Sequence, residues 1–180
     1  MKRRAVAAVV ALVATAALLS GCGSGVSSTE QSQQQSVATA EASLRAQGFT
    51  KVMLRIRHAD GTVEEHCVWL ADTDFEREQG LMEITDPSLG GGDALVFQFE
   101  SDTDRAFWMK DTLLPLSIAW VDSSGSVVNT ADMDPCPAET KNCPRFPPGR
   151  PYRLAIEMAQ GRLQDWGISP GATISLAGAC

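Results

Sequence analysis

From Lys51 the chain alternates. Val52, Leu54 and Ile56 fall between Met53, Arg55 and Arg57. A period of two places successive side chains on opposite faces of an extended backbone, which confines this stretch to a half-buried strand. Asp60-Gly61 has the residue types of a tight hairpin turn, and TVEEHCVWLA returns behind it as a second strand. LPLSIAWV sets Leu116, Ile118 and Trp120 against Ser117, Ala119 and Val121. In PYRLAIEM, Tyr152, Leu154, Ile156 and Met158 form an apolar face, with Arg153 and Glu157 opposite. DALVFQF and RAFWMK read as further buried strands, and Ser123-Ser124-Gly125 as a hairpin turn into SVVNTADM. Ile168 to Leu176, broken by Pro170-Gly171, supplies a closing strand.

Helical signals are short. Thr73 followed by Glu76 is a capping box, so a helix starts at Asp74, with Phe75 and Met82 directed at the core. A second helical turn spans Gly161 to Trp166 and stops at Gly167. Pro87 and Gly90-Gly91-Gly92 predict a mobile connection. The expected class is α+β and mostly β: an antiparallel sheet or a partly closed small barrel of seven or eight strands, with two short helices.

The N-terminus has another logic. Met-Lys-Arg-Arg precedes an uncharged apolar run from Ala5 to Leu19, too short for a comfortable membrane span. LSGC at Leu19 to Cys22 resembles a bacterial lipobox. This predicts a signal peptide over residues 1–21 and a lipidated Cys22, carrying palmitate-type acyl chains, as the mature N-terminus. Two acyl chains are sufficient for stable anchoring. The expected location is the extracytoplasmic face of the cell membrane. Residues 22–46 are rich in Ser, Gln, Ala and Gly and lack aromatics, which predicts a flexible tether, with a short helix over Val37 to Arg45 as an alternative. Residues 47–180 then form a single domain.

With Cys22 assigned to lipid, Cys67, Cys136, Cys143 and Cys180 remain. An even number in an exported domain predicts two disulfides. CPAETKNC favours local closure of Cys136 with Cys143, leaving Cys67 to pair with Cys180. Chain entropy gives about 2.5 kcal/mol for the short loop and about 4.8 kcal/mol for the long one. The spacing lacks the knuckle of a structural zinc site, and His58 and His66 form no ligand pair. Asp132/Asp134 continues into no calcium loop. Neither a metal nor a cofactor is expected.

Loss of Lys2, Arg3 and Arg4 with the signal peptide lowers the basic count from 15 to 12 against 22 acidic residues, a balance near −10. Such a surface repels polyanions, so nucleic acid is not an expected partner. The sequence has no G-x-S-x-G elbow, phosphate loop or zinc-protease helix.

GLM at Gly80 to Met82, ALVFQF at Ala94 to Phe99, FWMKDT at Phe107 to Thr112, LPL at Leu114 to Leu116, a strand pair around Gly125 and AIE at Ala155 to Glu157 follow one another in the order of a known family. In this the chain resembles the domain of unknown function 192 family over roughly residues 50 to 176. The resemblance implies a small, mostly β domain, often exported, with no established activity. This chain departs from it at Ser117, where the family usually has an acid, and at Glu83, where it usually has a base.

In FWMKDT, alternation puts Phe107 and Met109 in the core and turns Trp108 and Lys110 outward. The expected binding residues are Trp108, Lys110, Asp111, Thr112, Ser117 and Glu157, with the aromatic as platform and the charges giving orientation. The alternative for the same residues is a structural Lys110–Glu157 ion pair under an aromatic lid. No catalytic residue is assigned. Three classes of function remain open: a lipoprotein domain binding a small polar ligand or an envelope protein, an envelope enzyme using Lys110, Asp111 and Glu157 as acid–base groups, and a purely structural envelope protein.

Overall fold

The computed structural model describes residues 28–180, so Cys22 and the signal peptide lie outside the described residues. Strands β1 (Thr50–Arg57) and β2 (Val63–Ala71) form the expected hairpin, in register from Thr50 opposite Leu70 to Arg57 opposite Val63. Val52, Leu54 and Ile56 are all buried, as their alternation requires. Helix α2 (Asp74–Gln79) begins with both halves of its capping box: the Glu76 amide donates to the Thr73 hydroxyl, and the Glu76 carboxylate accepts from the Thr73 amide at 2.9 Å.

Strand β3 (Ala94–Thr103) then runs parallel to β2, with Trp69 opposite Leu95. The sheet is therefore mixed, not purely antiparallel. The segment through α2 and residues 80–93 carries the chain back to the end where β2 began, which is what a parallel pair needs. Strands β5 (Leu116–Val121), β6 (Val127–Met133), β8 (Tyr152–Ala159) and β9 (Thr173–Ala179) complete a seven-stranded sheet of order β6-β5-β8-β3-β2-β1-β9. Strands β4 (Phe107–Trp108) and β7 (Arg145–Phe146) form a separate two-stranded ribbon. The sheet does not close into a barrel. Next to its two edges Ser126, just ahead of β6, bridges Thr173 of β9, beside the hydrogen bond from the Ile174 amide to the Gly125 carbonyl.

The curled sheet is covered on both faces. One apolar cluster gathers Trp69, Leu95, Phe97, Ile118, Trp120 and Tyr152. The other gathers Leu54, Ile56, Val96, Val121, Ile156 and Met158 with Leu163 and Trp166, which belong to or flank helix α3 (Arg162–Asp165). All six residues of β5 are buried, and six of the eight in β8, Tyr152 and Leu154 to Met158. The alternation in PYRLAIEM set Arg153 and Glu157 opposite the core face; the central position of β5 and β8 in the sheet leaves neither face to water.

Composition predicted a tether over residues 22–46, but its described part is helix α1 (Ser28–Ala46), longer than the alternative Val37–Arg45. Ala40 and Leu44 are buried, and Leu44 joins the cluster around Trp69 and Leu89. Docking of this one small apolar stripe supplies what composition alone lacks. The three consecutive glycines serve the same contact. A Cβ on Gly90 would lie 2.5 Å from the Glu41 amide nitrogen, and one on Gly92 would lie 2.4 Å from Trp69 Nε1. The run is thus a close approach of backbone to helix and ring, not a loose connection. Both expected disulfides form, with Cα–Cα distances of 5.9 Å for Cys67–Cys180 and 5.8 Å for Cys136–Cys143.

Candidate functional site

Glu157 sits in the middle of β8, between Leu95 on β3 and Ile118 on β5. The register places its carboxyl on the face of Trp69 and Phe97. It is only 4 % exposed and forms no hydrogen bond or ion pair among the described residues. Burial pushes its pKa up to about 8, so the side chain is mostly a neutral acid at pH 7.

Two loops meet over it. One is the turn leaving α2, Gly80 to Met82; the other is the Lys110 to Thr112 turn. They are fastened together by the Glu83 amide, which donates to the Asp111 carbonyl at 2.9 Å. Both residues at this clasp are left-handed, Glu83 at φ 62° and Asp111 at φ 54°, a conformation that side-chain-bearing residues adopt at a cost. The second turn is also stitched to the short disulfide loop, because the Cys136 amide donates to the Thr112 carbonyl at 3.1 Å. Beneath the loops lies a cavity of about 30 Å³, bordered by Lys110, Thr112 and Glu157.

The cavity continues past Phe97, Phe107 and Trp108 into a groove of about 400 Å³. Its walls are Phe97, Phe99, Phe107, Trp108 and Tyr152. The rings are held by one another: Phe97 and Phe107 meet edge to face at 4.9 Å, as do Phe99 and Tyr152 at 5.4 Å. The Tyr152 hydroxyl donates to the Arg105 carbonyl at 3.0 Å, and burial pushes its phenol pKa up. Arg77 stacks over Phe99 and donates to the Asp74 carboxylate at 2.7 Å. Arg145 covers one face of Trp108, 4.4 Å from the ring centre.

Of the residues expected to bind, Trp108, Lys110, Thr112 and Glu157 border this connected space. Trp108 is 40 % exposed while Met109 is buried, in keeping with the alternation, although Phe107 is only half-buried and the extended segment is two residues long. Lys110 does not pair with Glu157; its ammonium pairs with Asp111 next door. Asp111 therefore acts through the clasp and as the partner of Lys110. Ser117 is not in the site. It lies opposite Met158, on the other face of the sheet from Glu157, where its hydroxyl donates to Asp132 and accepts from the Gly161 amide at 2.9 Å. A shift of one register position is enough to separate them.

Phe75 is 65 % exposed and Met82 half-buried, while Leu81 enters the core in their place. Helix α2 is too short to present a long apolar stripe, and the inward position is taken by the capping Glu76. Sequence reasoning also missed the groove walls at Phe97, Phe99 and Tyr152, which read as plain core. Among the described residues no cluster of three metal-ligating side chains occurs, and no helix is long and apolar enough to cross a membrane.

A sequence profile of the DUF192 family, described as uncharacterized ACR, matches residues 55–176. The chain belongs to the DUF192 family. Within this DUF192 domain fall the Gly80–Met82 turn, the Phe107–Thr112 segment and Glu157, all the parts that enclose the buried acid. Two solved structures share the architecture. A Sinorhizobium meliloti 1021 protein described as a "putative transcription regulator" is 26 % identical, with a TM-score of 0.58 over 72 % of this chain and 96 % of that one. A protein of unknown function from Novosphingobium aromaticivorans DSM 12444 is also 26 % identical, with a TM-score of 0.57 over 69 % of this chain and 84 % of that one. No curated protein matches the chain.

Proposed function

We propose that this DUF192 protein is a lipid-anchored, extracytoplasmic binding protein whose aromatic groove takes a small polar ligand. The observation that carries the reading is Glu157: a buried carboxyl without a protein partner, opening onto a small cavity at the base of a ligand-sized groove. Buried polar groups are normally satisfied, and a carboxyl left without a protein partner at the base of an apolar groove is the kind of polar group that orients a small ligand. An acid–base enzyme is less well supported, because Lys110 is tied to Asp111 and the Thr112 hydroxyl beside the acid donates to the Lys110 carbonyl, with no base to activate it. The description carried by the S. meliloti protein suggests DNA as a partner, but the acidic balance of this chain opposes that.

The anchor rests on the lipobox-like LSGC and its place behind the apolar run. Cys22→Ala is expected to release the protein from membrane fractions or to block its processing. A cleaved, unlipidated chain that stayed on the membrane would overturn the anchor. For the groove, titration with a small-molecule panel is expected to change tryptophan fluorescence in the native protein and not in Trp108→Ala. Identical responses in both proteins would remove the groove from the account.

A further inference from the structure

The geometry points to a neutral hydroxylated ring, a saccharide, as the ligand class, with one ring hydroxyl seated between Glu157 and Thr112 and the ring lying along the aromatic walls. The inference rests on the binding reading above and narrows it.

The inner cavity decides what can enter it. Its volume of about 30 Å³ is small, and a single hydroxyl fills it with less crowding than a phosphate would. Lys110 lines the same cavity with its ammonium paired to Asp111, so the two together offer no net charge to attract an ion of either sign. The Lys110 ammonium is itself engaged by Asp111, so it does not stand ready to neutralise an entering anion. A hydroxyl fits both constraints. It accepts from the O–H of the protonated Glu157 and donates to the Thr112 hydroxyl, whose own proton goes to the Lys110 carbonyl at 3.3 Å. No charge has to be created or buried.

The outer groove agrees. Its charged rim consists of Asp74, Arg77, Glu78 and Arg105, two of each sign, so it selects no net charge. Among the described residues Glu78 and Arg105 form no ion pair, which leaves an acceptor and a planar set of donors for ring hydroxyls. Between rim and floor the surface is almost wholly aromatic. That matches the apolar C–H face of a sugar ring, whose polar groups lie around its edge. The groove of about 400 Å³ falls in the size range of small-molecule sites.

The test uses the purified mature protein, titrated with glucose, N-acetylglucosamine, maltose, choline and benzoate, and followed by tryptophan fluorescence and by the shift in Tm. At least one of the three saccharides is expected to give a saturable response and a raised Tm, with choline and benzoate silent. Glu157→Leu, close in size but without hydrogen bonds, is expected to weaken that response at least tenfold while leaving a folded protein. Glu157→Gln, which keeps a donor and an acceptor, is expected to restore part of it. Binding of choline or benzoate with the saccharides silent would overturn the saccharide inference and leave a binding groove. Silence of all five would overturn both readings. Saccharide binding of equal strength in Glu157→Leu would remove the floor hydroxyl from the inference.

Discussion

At the scale of single residues, Glu157 links stability to pH. Its folded pKa of about 8 lies above the 4.5 of an unperturbed glutamate, so between those values the folded chain holds a proton that the unfolded chain has released. Its favourable contribution is complete below pH 4.5, fades as pH rises, and is gone above about 8. The full span is about 5 kcal/mol, at ~1.4 kcal/mol for each pH unit. The charged groups bordering the same cavity are Arg77, Glu78 and Lys110, and none of them replaces the missing partner. Urea denaturation at pH 5 and pH 8.5 is expected to show Glu157→Gln gaining several kcal/mol on the native protein at the higher pH. Parallel pH curves would mean that Glu157 ionises normally when folded. A neighbouring contrast separates packing from recognition. Phe107 touches the rings of Phe97, Trp120 and Tyr152, so Phe107→Ala should cost about 3 kcal/mol through lost packing and a cavity. Trp108 is 40 % exposed and stacks with an exposed Arg145, so Trp108→Ala should cost about 1 kcal/mol. Equal losses in the two variants would show that both rings carry packing.

Among the elements, the glycine run between α2 and β3 decides whether α1 stays docked. Gly90 has φ 64°, and its missing Cβ leaves room for the backbone of Glu41. Gly90→Ala should therefore lift the helix from the body and cost about 2 kcal/mol or more through strain and lost burial at Leu44. Limited proteolysis followed by mass spectrometry should find new cuts between residues 28 and 46; unchanged protection would mean that α1 docks without this contact. Local elements were legible because they obey local rules. The Thr73–Glu76 box, the Asp60-Gly61 turn and the buried residues of β1 depend on neighbours within a few positions. The parallel pairing of β2 with β3 was not legible, since its direction is set by where a long crossover lands. For the same reason β8 read as half-exposed: alternation shows which residues share a face, but not whether water reaches the other one. The site was legible in part. Trp108, Lys110, Thr112 and Glu157 come together, but Ser117 faces away, and the walls at Phe97, Phe99 and Tyr152 carry no signal that separates a groove from a core.

For the whole molecule, the two disulfides have unequal reach. Cys136–Cys143 spans 7 residues, Cys67–Cys180 spans 113. Cys180→Ser should lower the free energy of unfolding by about 4–5 kcal/mol, the chain entropy released by opening so large a loop. Chemical denaturation of the variant beside the native protein measures this, and a loss below about 1 kcal/mol would show that the unfolded chain gains little freedom. The long bridge also sets where the molecule yields under tension. A load applied between the two ends travels through α1 and β1 into β2, then leaves at Cys67 directly into Cys180. Everything inside that ring, including the groove and its acid, lies off the load path. Stretched in an optical trap, the oxidised protein should lengthen only by the chain ahead of Cys67. Adding reductant should release a further extension on the order of 400 Å, the contour of the 113 residues within the ring.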